Sequence, residues 1–484
     1  MYLPNYPTEL TQLARLFQEA GAVLYAVGGM PRNAQLGLLP NDMDVCSKML
    51  PEDVLLLCKA HTYKCTPKAL EFGTVEIHAG GYHFEHTTFR GDVYGEGGAH
   101  RPEAVRFSQT IEDDAFRRDF TCNALYADIL SGEVTDPTGG IADIKNNLIR
   151  ATSKDPAVIL RDDGLRVLRL VRFACELGFT IEGATWKAAC ENVSGLQDIA
   201  WERKRDELNK ILLSDVRYPE LTEGQRSPVL RGLNLLYEMN ALPHVIPELL
   251  EGDGVAQRPQ YHAYDVLHHN FHACAEAPPT LLMRLAGLLH DIGKPAALRE
   301  KGLPPDAGGH AVNPANLLPH GSTPMLGHDI LGAPISRVIL ERLRYPAALT
   351  DEVAFLVEQH MYDLNGRARE TTLRTKFACV GYERAQRLCE IREADVRGSG
   401  LCATFQANRW RAVLNRMCME GAPFSEKELQ CTGKDIMEWL NLAPGEKVGE
   451  IKRKLLLHCA RHPGDNKPER LRRIAIGMMH ERGK

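Results

Sequence analysis

The chain has 484 residues, 44% of them hydrophobic and 25% charged, with a formal net charge of -5. That length exceeds a single hydrophobic core and suggests three or four domains, and the acidic balance argues against a uniformly basic nucleic-acid binder while leaving room for a local basic surface. Thirteen scattered cysteines with no Cys-x-x-Cys pair suit reduced thiols better than a disulfide framework or a zinc finger. The start, Met1-Tyr2-Leu3-Pro4, lacks a basic region followed by an apolar stretch, and no run is long enough to span a bilayer. A cytoplasmic protein without a membrane partner is expected.

In chain order, Leu10, Leu13, Leu16 and Phe17 share a face of a helix predicted over Thr8 to Ala20, with Gly21 as its C-terminal cap. The apolar run Ala22 to Val27 predicts a strand that delivers the backbone into Gly28-Gly29, a turn without Cβ atoms to obstruct a phosphate. Asp42 and Asp44 are two residues apart, so an extended strand puts both carboxylates on one face, where they can share divalent cations. Each piece alone reads as an ordinary turn or a solvated strand end; joined at this spacing after a strand, they point to metal-assisted nucleotidyl transfer.

The pattern Gly28-Gly29-x-x-Arg32, Leu36-Gly37, Pro40-x-Asp42-x-Asp44 resembles the nucleotidyltransferase motif of the DNA polymerase β superfamily, in the branch of class II CCA-adding enzymes and bacterial poly(A) polymerases. Asn33 departs from it, standing where the family usually has Asp; we read this as a changed contact beside the site, not a lost metal ligand. Pro51 to Ala60 reads as a helix, and the strands Phe72–Ile77 and Tyr82–Arg90 as a hairpin turned at Gly80-Gly81. Glu85 lies among aromatic and β-branched positions, where a carboxylate is costly unless compensated. The resemblance implies that it is the third metal-site carboxylate. Gly91 to Arg101 reads as a mobile loop.

In Arg117-Arg118-Asp119-Phe120-Thr121-Cys122-Asn123-Ala124, paired arginines suit triphosphate oxygens and Asp119 and Asn123 suit ribose hydroxyls, although a charged helix start would look similar. The resemblance implies nucleotide binding by Arg117, Arg118, Asp119 and Asn123 together with Gly28, Gly29 and Arg32. Asp136 to Gly140, with Asp143, resembles the connection from head to neck.

Leu160 to Ala174 has helical periodicity, and Asp162 and Asp163 fall four and three residues before Arg166, a spacing that lets carboxylate and guanidinium converge. An ordinary ion pair would have the same spacing. The resemblance implies instead that Asp163 and Arg166 read the incoming base, with Arg169 in the same nucleotide-binding set. Asp163 would accept from the exocyclic amine of C or A and Arg166 would donate to the ring nitrogen, so U and G are mispaired. Trp201 to Leu212 reads as a supporting neck helix.

Farther on, an apolar helix over Leu281 to Leu289 leads into His290-Asp291-Ile292-Gly293-Lys294, a run that resembles the HD phosphohydrolase superfamily. The resemblance implies a divalent-metal site of unspecified metal held by His269, His290, Asp291 and Asp395; His328 and His360 stand where members with more ligands carry extra histidines. His268 beside His269 leaves the upstream ligand open by one residue, and an HD fold that merely packs is the plainer alternative. Lys452 to Lys484 holds ten Lys or Arg against three Asp or Glu, a basic excess suited to tRNA phosphates or to a solvated face.

The resemblance covers essentially the whole chain. It implies an α+β protein: a polymerase-β-type head of mixed sheet and helices at 1–140, then all-α parts, with a neck at 141–250, an HD domain at 251–400 and a C-terminal helical body binding tRNA at 401–484. The implied activity is template-independent addition of C, C and A to the tRNA 3′ end from CTP and ATP, with Mg²⁺ and catalytic residues Asp42, Asp44 and Glu85, alongside an HD phosphohydrolase activity. A poly(A) polymerase is the nearest alternative, opposed by the lack of a basic Gly-Arg-Arg-Phe-type run after Asp44. An HD phosphohydrolase on an inactive transferase scaffold is opposed by the intact carboxylate set. Complete versus CC-only or A-only addition, and the oligomeric state, stay open.

Overall fold

The computed structural model describes residues 6–39, 43–93, 104–222, 224, 227–308, 325–363, 367–401 and 405–480. Two compact units divide the chain, Met1–Val245 and Ile246–Lys484.

The first unit contains a seven-stranded mixed sheet. Its strands are β1 (Tyr25–Val27), β2 (Asp44–Ser47), β3 (Lys64–Ala69), β4 (Thr74–Ala79) and β5 (Tyr82–Thr88), and, after a separate hairpin of β6 (Arg90–Val93) and β7 (Ala104–Phe107), β8 (Tyr126–Asp128) and β9 (Val134–Thr135). The order is β3-β4-β5-β2-β1-β8-β9, with β2 and β5 parallel and the other neighbours antiparallel. Alternation decides the faces: Val75, Ile77 and Phe84 point into a core shared with Leu10, Leu13 and Phe17 of the helix Thr8–Glu19 and with Val54 and Cys58 of the helix Pro51–Ala60. The opposite face carries Glu76 on β4 and Glu85 on β5. Gly91 belongs to β6 and so is part of a strand, contrary to the loop expected there; residues 94–101 of that expected loop lie outside the described residues.

Mostly helical structure follows the sheet, but the neck expected to be all-α also holds a two-stranded parallel sheet, β10 (Leu148–Ile149) with β11 (Thr180–Ile181), and one expected helix is two. Leu160 to Ala174 is broken at Asp163, which has φ -144° and ψ 105°, between the helices Pro156–Asp162 and Leu165–Glu176. Gly164, next in the chain, packs closely against Gly195: a Cβ there would stand 2.5 Å from that backbone. The helix Trp201–Leu212 forms as the periodicity predicts.

Described residues of the second unit are helical throughout, without a strand. Phe377, Leu388, Ile391, Trp410, Leu455 and Leu471 are among the side chains of one continuous core that joins helices from Leu281–Leu289 to Pro468–His480. Thr432 and Asp435 form a reciprocal capping box at the start of the helix Gly433–Leu440. No helix among the described residues is long and apolar enough to cross a membrane.

Candidate active sites

In the first unit the glycine turn meets the carboxylates. Gly28, at φ 70° and ψ -119°, ends β1 and starts the helix Gly29–Gln35, and a Cβ built on it would lie 3.6 Å from Asp44 Oδ2. Asp44 and Glu85 are direct register partners across β2 and β5, so their side chains leave the same sheet face side by side. Both line a cavity of about 360 Å³. Two hard oxygen donors of this kind suit Mg²⁺. Asp42 lies outside the described residues. Lys68, which sequence reasoning missed, donates to Glu85 Oε2 at 3.0 Å and to Glu76 Oε1 at 2.8 Å; the Glu85 side chain is 45% exposed, so solvent already meets the carboxylate that the sequence read as costly there.

Around the turn runs a buried polar chain. Arg32 donates to Asn123 Oδ1 at 2.6 Å, to Asn33 Oδ1 at 2.9 Å and to the Tyr218 hydroxyl at 3.1 Å. Asn33 uses its amide hydrogens on the Leu39 carbonyl and on Tyr218, each at 3.2 Å, which an Asp could not do. Asn123 donates to Asp119 at 3.2 Å, and Asp119 accepts from Arg169 Nε at 2.7 Å. Burial opposes ionisation of Asp119, but the Arg169 and Arg166 guanidiniums hold its carboxyl down at about 2.

Arg117 and Arg118 close the helix Ile111–Phe116; they do not open one. Both bind the buried Asp114, through Arg117 Nη2 at 2.7 Å to one oxygen and Arg118 Nη2 at 2.8 Å to the other, and the Tyr126 hydroxyl donates to it at 2.6 Å. Against the cost of burial, these guanidiniums hold the Asp114 carboxyl well below the usual range. Its place three and four residues before the arginines was the available signal, and sequence reasoning passed over it. The structure also separates an expected pair. Asp163 accepts from Arg203 at 3.0 Å and from the Leu165 amide at 3.0 Å, while Arg166 donates to the carbonyls of Ile159 and Arg117, each at 2.8 Å. The helix break at Asp163 removes the shared face that the spacing assumed, and Arg203 becomes the partner.

In the second unit six side chains gather. His269, His290, His328 and His360 each place Nδ1 near a backbone carbonyl, of Gly398, Gly287, Met325 and Val357 at 3.3, 2.8, 2.7 and 2.6 Å. A carbonyl can only accept, so each Nδ1 carries a hydrogen and each ring turns its Nε2 inward. Those inward atoms surround Asp291: Oδ2 is 3.3 Å from His269 and 3.3 Å from His290, and Oδ1 is 3.0 Å from His328 and 3.6 Å from His360. Asp395 Oδ1 stands 3.2 Å from His269 Nε2. Ligand atoms converge within 4.8 Å as two buried trios, His269, His290 and Asp291, then Asp291, His328 and His360. His268 instead pairs with Asp265 at 2.8 Å, away from the trios.

Burial would keep His290 neutral, yet Asp291 and Asp395 push its pKa up to about 10. The two carboxylates thus favour positive charge among these rings, and imidazole with carboxylate suits a divalent transition metal. Lys294, which also bonds Asp291 and donates to Gln257 at 2.5 Å, and His262, whose ring centroid is 4.4 Å from that of His269, border the cluster and were not singled out from sequence.

Residues 24–150 match the Poly A polymerase head domain, 178–219 the "Probable RNA and SrmB- binding site of polymerase A" and 261–391 the HD domain. An A-adding tRNA nucleotidyltransferase of Deinococcus radiodurans is 32% identical over 370 residues, which are 72% of this chain and 76% of that protein. CCA-adding enzymes of Leuconostoc mesenteroides and Lactiplantibacillus plantarum are 35% and 38% identical, over 48% and 44% of this chain and 56% and 51% of theirs. The chain therefore spans about half the length of these CCA-adding relatives. In fold it is similar to the CCA-adding enzyme of Bacillus stearothermophilus in complex with CTP, with a TM-score of 0.65, 24% identity and 98% of each chain covered. The Thermotoga maritima CCA-adding enzyme complexed with tRNA aligns with a TM-score of 0.56 at 17% identity, over 96% of this chain and 94% of that one.

Proposed function

Because the chain belongs to the tRNA nucleotidyltransferase family of A-adding and CCA-adding enzymes, we propose that it extends the tRNA 3′ end from CTP and ATP without a nucleic-acid template, adding C, C and A. The observation that carries this reading is the register pairing of Asp44 with Glu85 beside the Gly28 turn, because two carboxylates side by side next to a glycine turn suit metal-assisted nucleotidyl transfer. Asp42, Asp44 and Glu85 would hold Mg²⁺. When bound, the ions activate the primer hydroxyl and offset charge on the leaving pyrophosphate.

The protein's own groups do the rest. Arg117 and Arg118, oriented by Asp114, meet triphosphate oxygens; Asp119 and Asn123, fixed by Arg169 and Arg32, line the ribose side; Asp163, held by Arg203, and Arg166 select C and A. In the second unit, His269, His290, Asp291 and Asp395, with His328 and His360, would hold divalent metal for phosphoester hydrolysis, with Asp291 facing both trios. Imidazole basicity and a hydrogen-bonded Nδ1 on every ring support this assignment over mere packing.

The test uses tRNA transcripts ending before CCA, after C and after CC, with Mg²⁺ and CTP, ATP or both. Two C residues, one A and arrest are expected. A second reading is A-only addition, favoured by the greater share covered of the A-adding relative; in that case only the CC-ended transcript is extended. A long adenosine ladder from ATP alone overturns both in favour of a poly(A) polymerase, and no extension by any mixture overturns transfer.

A further inference from the structure

The β4–β5 hairpin carries another convergence of metal-ligating groups, on the sheet face that bears Glu85 and Asp44. His78 and His83 are cross-strand register partners, with ring centroids 4.5 Å apart at 75°. Glu76 precedes His78 by two residues and so projects from the same face. Its Oε2 lies 3.4 Å from His78 Nε2, and one ligand atom each from Glu76, His78 and His83 fall within 4.8 Å of one another. His83 is exposed and the other two half-buried, so the group is reached from solvent. Strand pairing, not side-chain chance, fixes the two rings opposite each other, and the hairpin is closed by Gly80-Gly81, at φ 57° and 87°. Two imidazoles and one carboxylate form a three-ligand set that leaves a position for water, and imidazole nitrogen favours Zn²⁺ and its neighbours over Mg²⁺.

The second feature is how Glu76 divides its oxygens. Oε2 faces His78, whereas Oε1 accepts from Lys68 at 2.8 Å, and the same ammonium donates to Glu85 Oε2 at 3.0 Å. One cation therefore links the histidine pair to a carboxylate of the transfer site. Lys68 is shared between two acids, and whatever weakens its bond to one strengthens its stay on the other.

We propose that Glu76, His78 and His83 bind a Zn²⁺-class divalent cation, and that its binding slows nucleotidyl transfer by shifting Lys68 from Glu76 onto Glu85. The ion neutralises the Glu76 carboxylate and repels the Lys68 ammonium. Lys68 then rests on Glu85, where it competes with Mg²⁺. The consequence for transfer rests on the proposed function; the binding site does not.

The experiment uses the full chain, dialysed to equilibrium against buffered free Zn²⁺ and assayed for bound metal, beside tRNA extension at limiting Mg²⁺. Wild type is expected to hold about one more equivalent of Zn²⁺ than His83→Ala and than His78→Gln, the difference being this three-ligand site. Extension by wild type falls several-fold with Zn²⁺ and recovers with excess Mg²⁺; in His83→Ala, Zn²⁺ has no such effect. Lys68→Met keeps the extra equivalent but loses the inhibition. Equal zinc content in wild type and both histidine variants overturns the site, and inhibition that persists in Lys68→Met overturns the link through Lys68. If zinc-free protein extends no tRNA at all, the proposed transfer fails while the metal count still decides the site.

Discussion

Single carboxylates carry the sharpest expectations. Asp44→Asn removes one of the two register-paired carboxylates proposed to hold Mg²⁺, so extension should fall by about 1,000-fold, near 4 kcal/mol of transition-state stabilisation, with the fold retained by circular dichroism. Asp119 makes a pH prediction. Its carboxyl is depressed from 3.8 to about 2, so the folded state gains stability above the unfolded value and loses it as pH falls toward the folded one. On the order of 2 kcal/mol is involved. The urea midpoint of Asp119→Asn should therefore lie below wild type by a constant gap above about pH 5, and that gap should shrink as pH falls from about 4 toward 2. Asn33 shows what the residue scale hides: a departure from the family pattern on paper, it bonds Arg32, Leu39 and Tyr218 at once. Asn33→Ala should cost about 1–3 kcal/mol in thermal or urea unfolding, since it strands buried partners.

At the scale of elements, the break at Asp163 and the helix Trp201–Leu212 act together. The break turns Asp163 toward Arg203 and away from Arg166, so a neck helix expected only to support the site now holds the carboxylate proposed to read the base. Arg203→Ala should leave CTP and ATP incorporation measurable but raise UTP misincorporation by about tenfold, the equivalent of roughly 1.4 kcal/mol of lost discrimination. Unchanged fidelity would show that Asp163 needs no such support. Gly28→Ala tests the turn: φ 70° with ψ -119° is costly for any residue with a Cβ, about 1–3 kcal/mol, and the added methyl would face Asp44. A loss of both stability and nucleotide affinity is expected.

For the whole molecule, the described residues of each unit gather groups of its own chemistry, oxygen donors and guanidiniums in the first and imidazoles around Asp291 in the second. Asp291→Ala should abolish metal-dependent phosphohydrolysis of a model phosphoester while tRNA extension stays within about twofold, because no transfer group belongs to that cluster. Loss of both activities would tie the two sites together. Much of this was legible in the chain. Local patterns determined the glycine turn, the helices Pro51–Ala60, Trp201–Leu212 and Leu281–Leu289 and the His-Asp dyad, because backbone preference and hydrophobic period act over a few neighbouring residues, while the α+β class came with the family resemblance. Only the tertiary structure decided that Asp44 stands beside Glu85, that Asp163 answers to Arg203 and that four histidines turn Nε2 toward one aspartate. Those choices rest on strand register and helix packing between residues tens of positions apart, where buried charge must find a partner and no local spacing states which one it finds.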